Sequence, residues 1–356
     1  MMFLRKLLLP FTWLYAFIMH ARNFMFDKGI LSSQSYNVPV ISIGNITVGG
    51  TGKTPLAEHV IRLLLPHHSC AMLSRGYGRK TRGVFLADAA SDYKTIGDEP
   101  MQMHRKFKEL TVVVAEKRQA GMELLLSKSS SPNVVVLDDA YQHRYVKPGF
   151  SILVTDYHRP MWKDFCFPAG NLREPLSGIK RANLIVVNKV PGNLSLVEAD
   201  AIRKKLRKCD SQQMFFTTVV YKNPAPLLKN NAQDKSFQEI LSEKNTPLVA
   251  MAGIGNPEPF FKMAREFGVP VSTIRFPDHH DFSENDIRKI DEEGKRIGFP
   301  NPMILTTEKD AIRLDSNKHV SEQMKSRIWY IPIELEFLFG EQVIFDKKIK
   351  DYVGKN

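Results

Sequence analysis

From residue 37 onward, short unbroken apolar runs alternate with longer stretches of mixed polarity. Val38–Ile43 (VPVISI), Cys70–Leu73, Leu110–Ala115 (LTVVVA), Asn133–Leu137 (NVVVL), Ser151–Thr155 (SILVT) and Asn183–Val187 (NLIVV) show no apolar/polar alternation. Strands of this kind are buried on both faces, which predicts a parallel sheet covered by helices. Leu56–Leu65 carries the apolar spacing of a helix between the first two runs. A second series follows at Pro247–Met251, Val271–Phe276, Met303–Thr306 and Ile328–Ile333, with helices expected around Glu258–Phe267 and Glu284–Ile297. Between the two series, Tyr221–Thr246 is polar and holds Pro224, Pro226 and a Lys/Asn/Gln cluster. The expected fold is α/β, a mostly parallel sheet with helices on both faces plus a smaller C-terminal α/β portion. The expected division is an N-terminal segment 1–30, a core 31–222, a linker or excursion 223–246, and a portion 247–356 that completes the active-site cleft.

The first thirty residues break this pattern. Leu7–Met19 (LLLPFTWLYAFIM) is almost wholly apolar, carries Trp13 and Tyr15, and is bracketed by Arg5, Lys6, Arg22 and Lys28. It is shorter than the roughly 20 apolar residues a spanning helix needs, and Pro10 interrupts it. Aromatic rings with flanking cations suit a helix lying among lipid headgroups; a short span and a buried core helix are the alternatives. A cleaved leader fits less well, because it has a poor cleavage site and would strand the motif described next outside the cytoplasm.

That motif is Thr47-Val48-Gly49-Gly50-Thr51-Gly52-Lys53-Thr54, directly after the first strand. It matches the phosphate-loop pattern G-x-x-x-x-G-K-[ST] except at Thr47. A small-residue loop between a buried strand and a helix turns successive N–H groups toward an anion, and the helix N-terminus adds its dipole. Lys53 is placed to reach the β- and γ-phosphates, and Thr54 to offer its hydroxyl to Mg²⁺. The core is therefore expected to be phosphate-loop NTPase-like. Val134–Leu137 ends in Asp138-Asp139, the strand-end carboxylates that a phosphate-bound Mg²⁺ calls for. Asn188-Lys189 also follows a strand, but Pro191 stands where guanine-reading proteins carry an aspartate, which favours ATP.

The 356 residues carry 50 Lys and Arg against 38 Asp and Glu, a net charge of +12. Such a surplus favours anionic partners: nucleic acid, acidic lipid or phosphorylated substrates. No run of like charge is long enough for a nucleic-acid arm, so a nucleic-acid partner is not expected. Three widely spaced cysteines with no CxxC pattern argue against a disulfide framework or zinc cluster.

Taken in order, several strings resemble one family. They are Gly44-Asn45 leading into Gly49–Pro55, Ser74-Arg75-Gly76-Tyr77-Gly78-Arg79, Gly97-Asp98-Glu99-Pro100, and Leu137-Asp138-Asp139-Ala140-Tyr141-Gln142-His143. Gly170-Asn171-Leu172-Arg173-Glu174-Pro175, Asn188-Lys189, Ala252–Pro257, Asp278-His279-His280 and Thr306-Thr307-Glu308-Lys309-Asp310 complete the set. Over residues 1–335 the chain resembles the tetraacyldisaccharide 4′-kinases of lipid A biosynthesis. The resemblance implies ATP-dependent phosphorylation of a tetraacylated glucosamine disaccharide 1-phosphate at the cytoplasmic face of a bacterial inner membrane, with no obligate protein partner. It implies ATP and Mg²⁺ as cofactors, with Thr47–Thr54, Asn188 and Lys189 around the nucleotide and Thr54, Asp138, Asp139 and Glu174 near the metal. It implies Arg75, Tyr77, Arg79, Gln142, His143 and Arg173 as substrate contacts. Asp98 is the expected base, and His279, chosen over His280 on the resemblance, is its orienting partner. A membrane-tethered switch NTPase and a phosphate-loop ligase that activates a carboxylate are the competing readings.

Overall fold

The computed structural model describes residues 7–228, 236–244, 246–296 and 302–355. Arg5, Lys6, Ile297 and residues 229–235 and 245 of the expected linker lie outside the described residues. Helix α1 (Leu9–Asp27) leads to β1 (Val40–Gly44), α2 (Lys53–Leu64), β2 (Cys70–Ser74), β3 (Phe85–Leu86), α3 (Asp98–Lys106) and β4 (Thr111–Val114). Next come α4 (Arg118–Leu126), β5 (Val134–Asp138), β6 (Phe150–Asp156), β7 (Leu184–Asn188), α5 (Leu196–Leu206) and β8 (Gln213–Tyr221). A second unit holds β9 (Ala225–Pro226), α6 (Phe237–Lys244), β10 (Leu248–Ala252), α7 (Glu258–Arg265), β11 (Val271–Arg275), α8 (Glu284–Arg296), β12 (Met303–Thr307), α9 (Glu308–Asp315) and β13 (Ile328–Ile331). The chain ends with β14 (Ile333–Phe337) and α10 (Gln342–Val353).

The strands form a nine-stranded sheet in the order β14-β8-β7-β6-β1-β5-β2-β4-β3, and a five-stranded sheet in the order β11-β10-β12-β13-β9. Both are parallel except at edges: β3 runs antiparallel to β4, β14 to β8, and β9 to β13. All five residues of β1, β2, β5 and β7 are buried, which is why their sequences show no alternation. On one face Ile41, Ile43, Val136 and Val154 pack against Leu56, Val60 and Ile61 of α2. Each such side chain contributes about 1.5–3 kcal/mol of burial. The parallel strands aim their C-terminal ends, where ligands bind in open α/β sheets, at the loop before α2.

The division of the chain differs from the expected 247–356. Strand β14 pairs with β8, from Ile333↔Tyr221 to Phe337↔Thr217, and so belongs to the large sheet. Phe345, Ile349 and Val353, at helical spacing along α10, enter the same cluster as α2. Burying that stripe and pairing the free edge of β8 draws residues 333–353 back to the core. The smaller unit is thus inserted between β8 and β14, and the two crossings touch where Lys222 N donates to Pro332 O at 2.9 Å. Much of the stretch read as a linker is ordered too: β9 pairs with β13, and α6 buries Phe237 and Leu241. The units meet along α3 and α9, where Lys106 bridges Glu58 (2.6 Å) and Glu308 (3.0 Å) and Arg105 pairs with Asp315 (2.6 Å).

Helix α1 is inside-out. Its polar groups face the protein: Tyr15 Oη donates to Arg173 O (2.8 Å), Asn23 Nδ2 to Glu174 (3.0 Å), and Thr12 Oγ1 accepts from Ala169 N (3.0 Å). Phe11, Trp13, Leu14, Phe17 and Ile18 are exposed, Trp13 by 74%. The buried-core alternative is therefore excluded. Arg22, expected to face lipid, donates inward to Gln142 O (3.0 Å). Among the described residues no helix is long and apolar enough to cross a membrane.

Candidate active site

The loop between β1 and α2 is held open by its neighbours. Gly52 caps α2 with φ +89°, and a Cβ there would sit 1.8 Å from Asn188 Nδ2. Only glycine accommodates both demands. Asn188, fully buried at the end of β7, donates to Thr51 O (3.1 Å), and Asn45 Nδ2 donates to Thr51 Oγ1 (3.0 Å). Thr47 and Val48 are braced by the 166–173 segment, with Val48 N donating to Asn171 O (2.9 Å). Lys189 Nζ donates to Gly50 O and pairs with Asp156 (2.9 Å), which also holds Arg159 (3.3 Å). Asp156 and Arg159 escaped the sequence reading because they belong to no motif. Asn188 and Lys189 brace the loop directly.

Lys53 opens α2 with its Nζ 3.4 Å from Asp139, and Arg173 lies 3.3 Å from the same carboxylate. Burial would raise Asp139, but these two cations hold it below the usual carboxylate range. Asp138 goes the other way: burial first, then Glu99 and Asp139, push its carboxyl up. Ser74 Oγ donates to Asp138 Oδ2 (3.3 Å), while Oδ1 is buried with no hydrogen-bond partner among the described residues. An orphaned carboxylate oxygen in an anionic site is what a divalent cation satisfies, so Asp138 fits the metal role. Glu174 does not. Arg181, Gln142 and Asn23 occupy both its oxygens at 2.9–3.0 Å, so no lone pair is free for a metal. It ties α1 to the core instead.

The second cluster joins the two units. Asp98 begins α3 rather than lying in an open turn, and its Oδ2 is 2.9 Å from His279 Nδ1. Arg313, from α9 and 1% exposed, donates to both Asp98 oxygens, Nε to Oδ1 at 3.0 Å and Nη2 to Oδ2, and pairs with Asp310 at 3.0 Å. Burial opposes ionisation of Asp98, yet the His279 and Arg313 hydrogen bonds hold it down at about 2. Lys309 Nζ lies 3.3 Å from both His279 Nε2 and Glu99. Asp139, Lys189 and His279 all have left-handed φ, at +45°, +61° and +58°. Such strain, about 1–3 kcal/mol each, concentrates where function needs a fixed direction. Arg313 was missed; its signal was the strand-end Thr306–Asp310 string followed by an arginine one helical turn beyond Lys309.

The expected substrate contacts divide. Arg75 and Tyr77 are exposed on the loop facing the junction, the Tyr77 ring 5.3 Å from that of His279. Arg173 lies beside Asp139. Arg79 engages Glu116 (2.5 Å) and Gly83 O (2.6 Å) through Nη2, while its Nε and Nη1 are buried with no hydrogen-bond partner among the described residues. Gln142 spends its amide on Asn45 O (2.6 Å) and Glu174. His143 lines a cavity of about 670 Å³ with Phe26, Arg144 and Arg181; burial and then Arg118 press its imidazole down to about 4.

A phosphate loop, an orphaned strand-end carboxylate and an Asp–His pair opposite them are the parts of a phosphotransferase site. The tetraacyldisaccharide-1-P 4′-kinase (LpxK) family profile matches residues 4–353. The chain belongs to that family. Among its kinase relatives, the tetraacyldisaccharide 4′-kinase of Bacteroides thetaiotaomicron is 43% identical over 358 residues, covering 99% of this chain and 94% of its own. That of Flavobacterium johnsoniae is 44% identical over 353 residues, covering 99% and 98%. A crystal structure of LpxK from Aquifex aeolicus in complex with ATP is 30% identical and superposes with a TM-score of 0.74, covering 98% of this chain and 99% of that one. The kinase family and the two-unit α/β fold thus extend over the whole chain, including the N-terminal helix and the returning α10.

Proposed function

We propose that this chain transfers the γ-phosphate of ATP to the 4′-hydroxyl of a tetraacylated glucosamine disaccharide 1-phosphate, forming lipid IVA in lipid A biosynthesis. The observation that carries the reading is the Asp98–His279 pair at the junction, a proton-handling device that a switch NTPase does not need. The N–H groups of the Gly49–Thr54 loop and Lys53 receive the phosphates, and Lys189 and Asn188 fix the loop. Thr54 and Asp138 are the residues that would hold Mg²⁺, which when bound would supply charge neutralisation at the phosphates. Lys53 and Arg173 neutralise charge as the O–P bond to ADP breaks and that to the sugar forms, while the hydroxyl proton passes to the dyad. Arg75 and Tyr77 are placed to meet the acceptor. Incubation with γ-labelled ATP and bacterial lipid extract tests the reading: label should move to lipid. Label released only as free phosphate supports the switch; dependence on a carboxylic acid supports a ligase.

The exposed apolar face of α1 is the membrane contact, lying in the cytoplasmic leaflet while its polar side is fastened to the protein. Anionic lipid and an anionic acceptor account for the surplus positive charge. Deleting residues 1–25 should move the protein from anionic vesicles to the supernatant at moderate salt. Unchanged sedimentation would place the membrane contact elsewhere.

A further inference from the structure

We infer that Arg159 is a further catalytic residue: with ATP bound it leaves Asp156 and donates its guanidinium N–H groups to the terminal phosphate. The inference rests on the kinase reading above and adds to it a residue that no motif marks.

Arg159 stands at the mouth of the phosphate loop. Its guanidinium lies against Gly49, where a Cβ would sit 2.8 Å from Nη1, and Nη2 is 3.5 Å from Gly50 O. The root of the side chain is fixed. Arg159 N donates to Asp156 O (3.2 Å) and Tyr157 N to Asn188 O (2.9 Å), which ties the turn after β6 to the end of β7. The tip is free to move: the side chain is 53% exposed, and its ion-pair partner among the described residues is Asp156, at 3.3 Å. That carboxylate is shared. The same oxygen, Oδ2, takes Lys189 Nζ at 2.9 Å, and Oδ1 accepts from His158 N at 2.9 Å. Asp156 is buried, yet it keeps Lys189 as its counter-charge when Arg159 departs. A half-exposed pair at this distance is weak, so little holds Arg159 back. One carboxylate against two cations leaves a positive charge unmatched beside a loop built for an anion.

The sheet order says which phosphate this charge meets. Strand β1 lies between β5 and β6, so the loop after β1 has Asp139 with Lys53 and Arg173 on its β5 side, and Arg159 on its β6 side. Helix α2 turns its N-terminal N–H groups to the inner phosphates. Gly49 and Gly50, at the opposite end of the loop, flank the terminal one, and Arg159 lies on them. As the acceptor oxygen bonds to phosphorus and the bond to the ADP oxygen breaks, charge spreads over the non-bridging oxygens. Arg159 meets those oxygens with N–H donors and exchanges no proton. An arginine supplied by the same chain serves in this way in other phosphate-loop proteins.

The test compares the wild type, Arg159→Ala and Arg159→Lys in two arms. The first is calorimetric: Kd for the β,γ-imido analogue of ATP and for ADP, each with Mg²⁺ and without acceptor. Arg159→Ala should weaken the analogue about tenfold and ADP by less than about twofold, because only the analogue carries the terminal phosphate. Retained ADP binding also reports that the variant is folded. The second arm is steady-state transfer. There kcat should fall about 100-fold in Arg159→Ala, the loss of one preorganised donor, and about tenfold in Arg159→Lys, which keeps the charge without the planar fork. An unchanged ratio of the two affinities overturns the proposal: equal weakening makes Arg159 a brace of the loop through Gly50, and no weakening makes it a solvated partner of Asp156. A changed ratio with wild-type kcat overturns the catalytic role. The first arm needs no acceptor, so it judges Arg159 even if the wild type moves no phosphate to lipid, the result that would sink the kinase assignment itself.

Discussion

Around Lys53 every supporting group comes from a strand end of one sheet or the loop after it, whereas at the junction Asp98 meets partners 181 and 215 residues away. The first region is held by hydrogen bonds and ion pairs made within one sheet and its loops, among them the Asn188 and Asn45 amides on Thr51 and the Lys189–Asp156 pair. The second is held by charges brought together by docking two units. The contrast separates two tasks: a rigid cradle for a nucleotide, and a proton device that exists only in the assembled protein.

The largest effect should come from the cradle. Lys53→Ala should lower turnover by about two to four orders of magnitude, because the site offers little besides positioning and electrostatics. Steady-state kinetics of the folded variant check this, and near-wild-type turnover would take the loop out of the mechanism. At the junction, Asp98→Asn and His279→Ala should each cost about 10²–10³ in kcat, with ATP affinity nearly kept. The double variant should cost little more, since the pair acts as a unit. Additive losses would break the dyad and with it the contrast between the regions.

The same contrast explains what the sequence made legible. The unbroken apolar runs announced the parallel strands, and Gly52-Lys53-Thr54 and Asp138-Asp139 announced the cradle, because each is local in the chain. The hydrogen-bond partners of Glu174 and Arg79 were not legible because a residue type in a motif does not say which neighbour spends its lone pairs or donors. Residues 333–353 were misassigned because β14 has no signature until β8 offers it an edge. Arg313 could not be placed without knowing that α9 docks on α3.

Smaller perturbations sharpen the comparison. Gly52→Ala should raise ATP KM about tenfold, since the added Cβ must displace Asn188 from Thr51 at a cost of about 1–3 kcal/mol. It should leave the pH profile alone, because it touches only the cradle; a changed profile would mean that the two regions are coupled. His143 makes stability depend on pH. Its imidazole sits at about 4 in the folded chain, below the ordinary value of 6.5. The folded state therefore binds fewer protons, and stability present above pH 6.5 is lost as pH falls toward 4. The slope should be at most about 1.4 kcal/mol per pH unit. Chemical unfolding of His143→Gln should show that slope flattened; an unchanged slope would assign it to another group.

The most direct measurement is ³¹P NMR of the product made from ATP and purified tetraacylated disaccharide 1-phosphate by the wild type, Lys53→Ala and His279→Ala. A new phosphomonoester at the 4′ position should form with the wild type and fall by at least about 100-fold in both variants, with ATP binding kept in His279→Ala. A wild-type product with no 4′ phosphate, or a His279→Ala variant that makes it at the wild-type rate, would contradict the account.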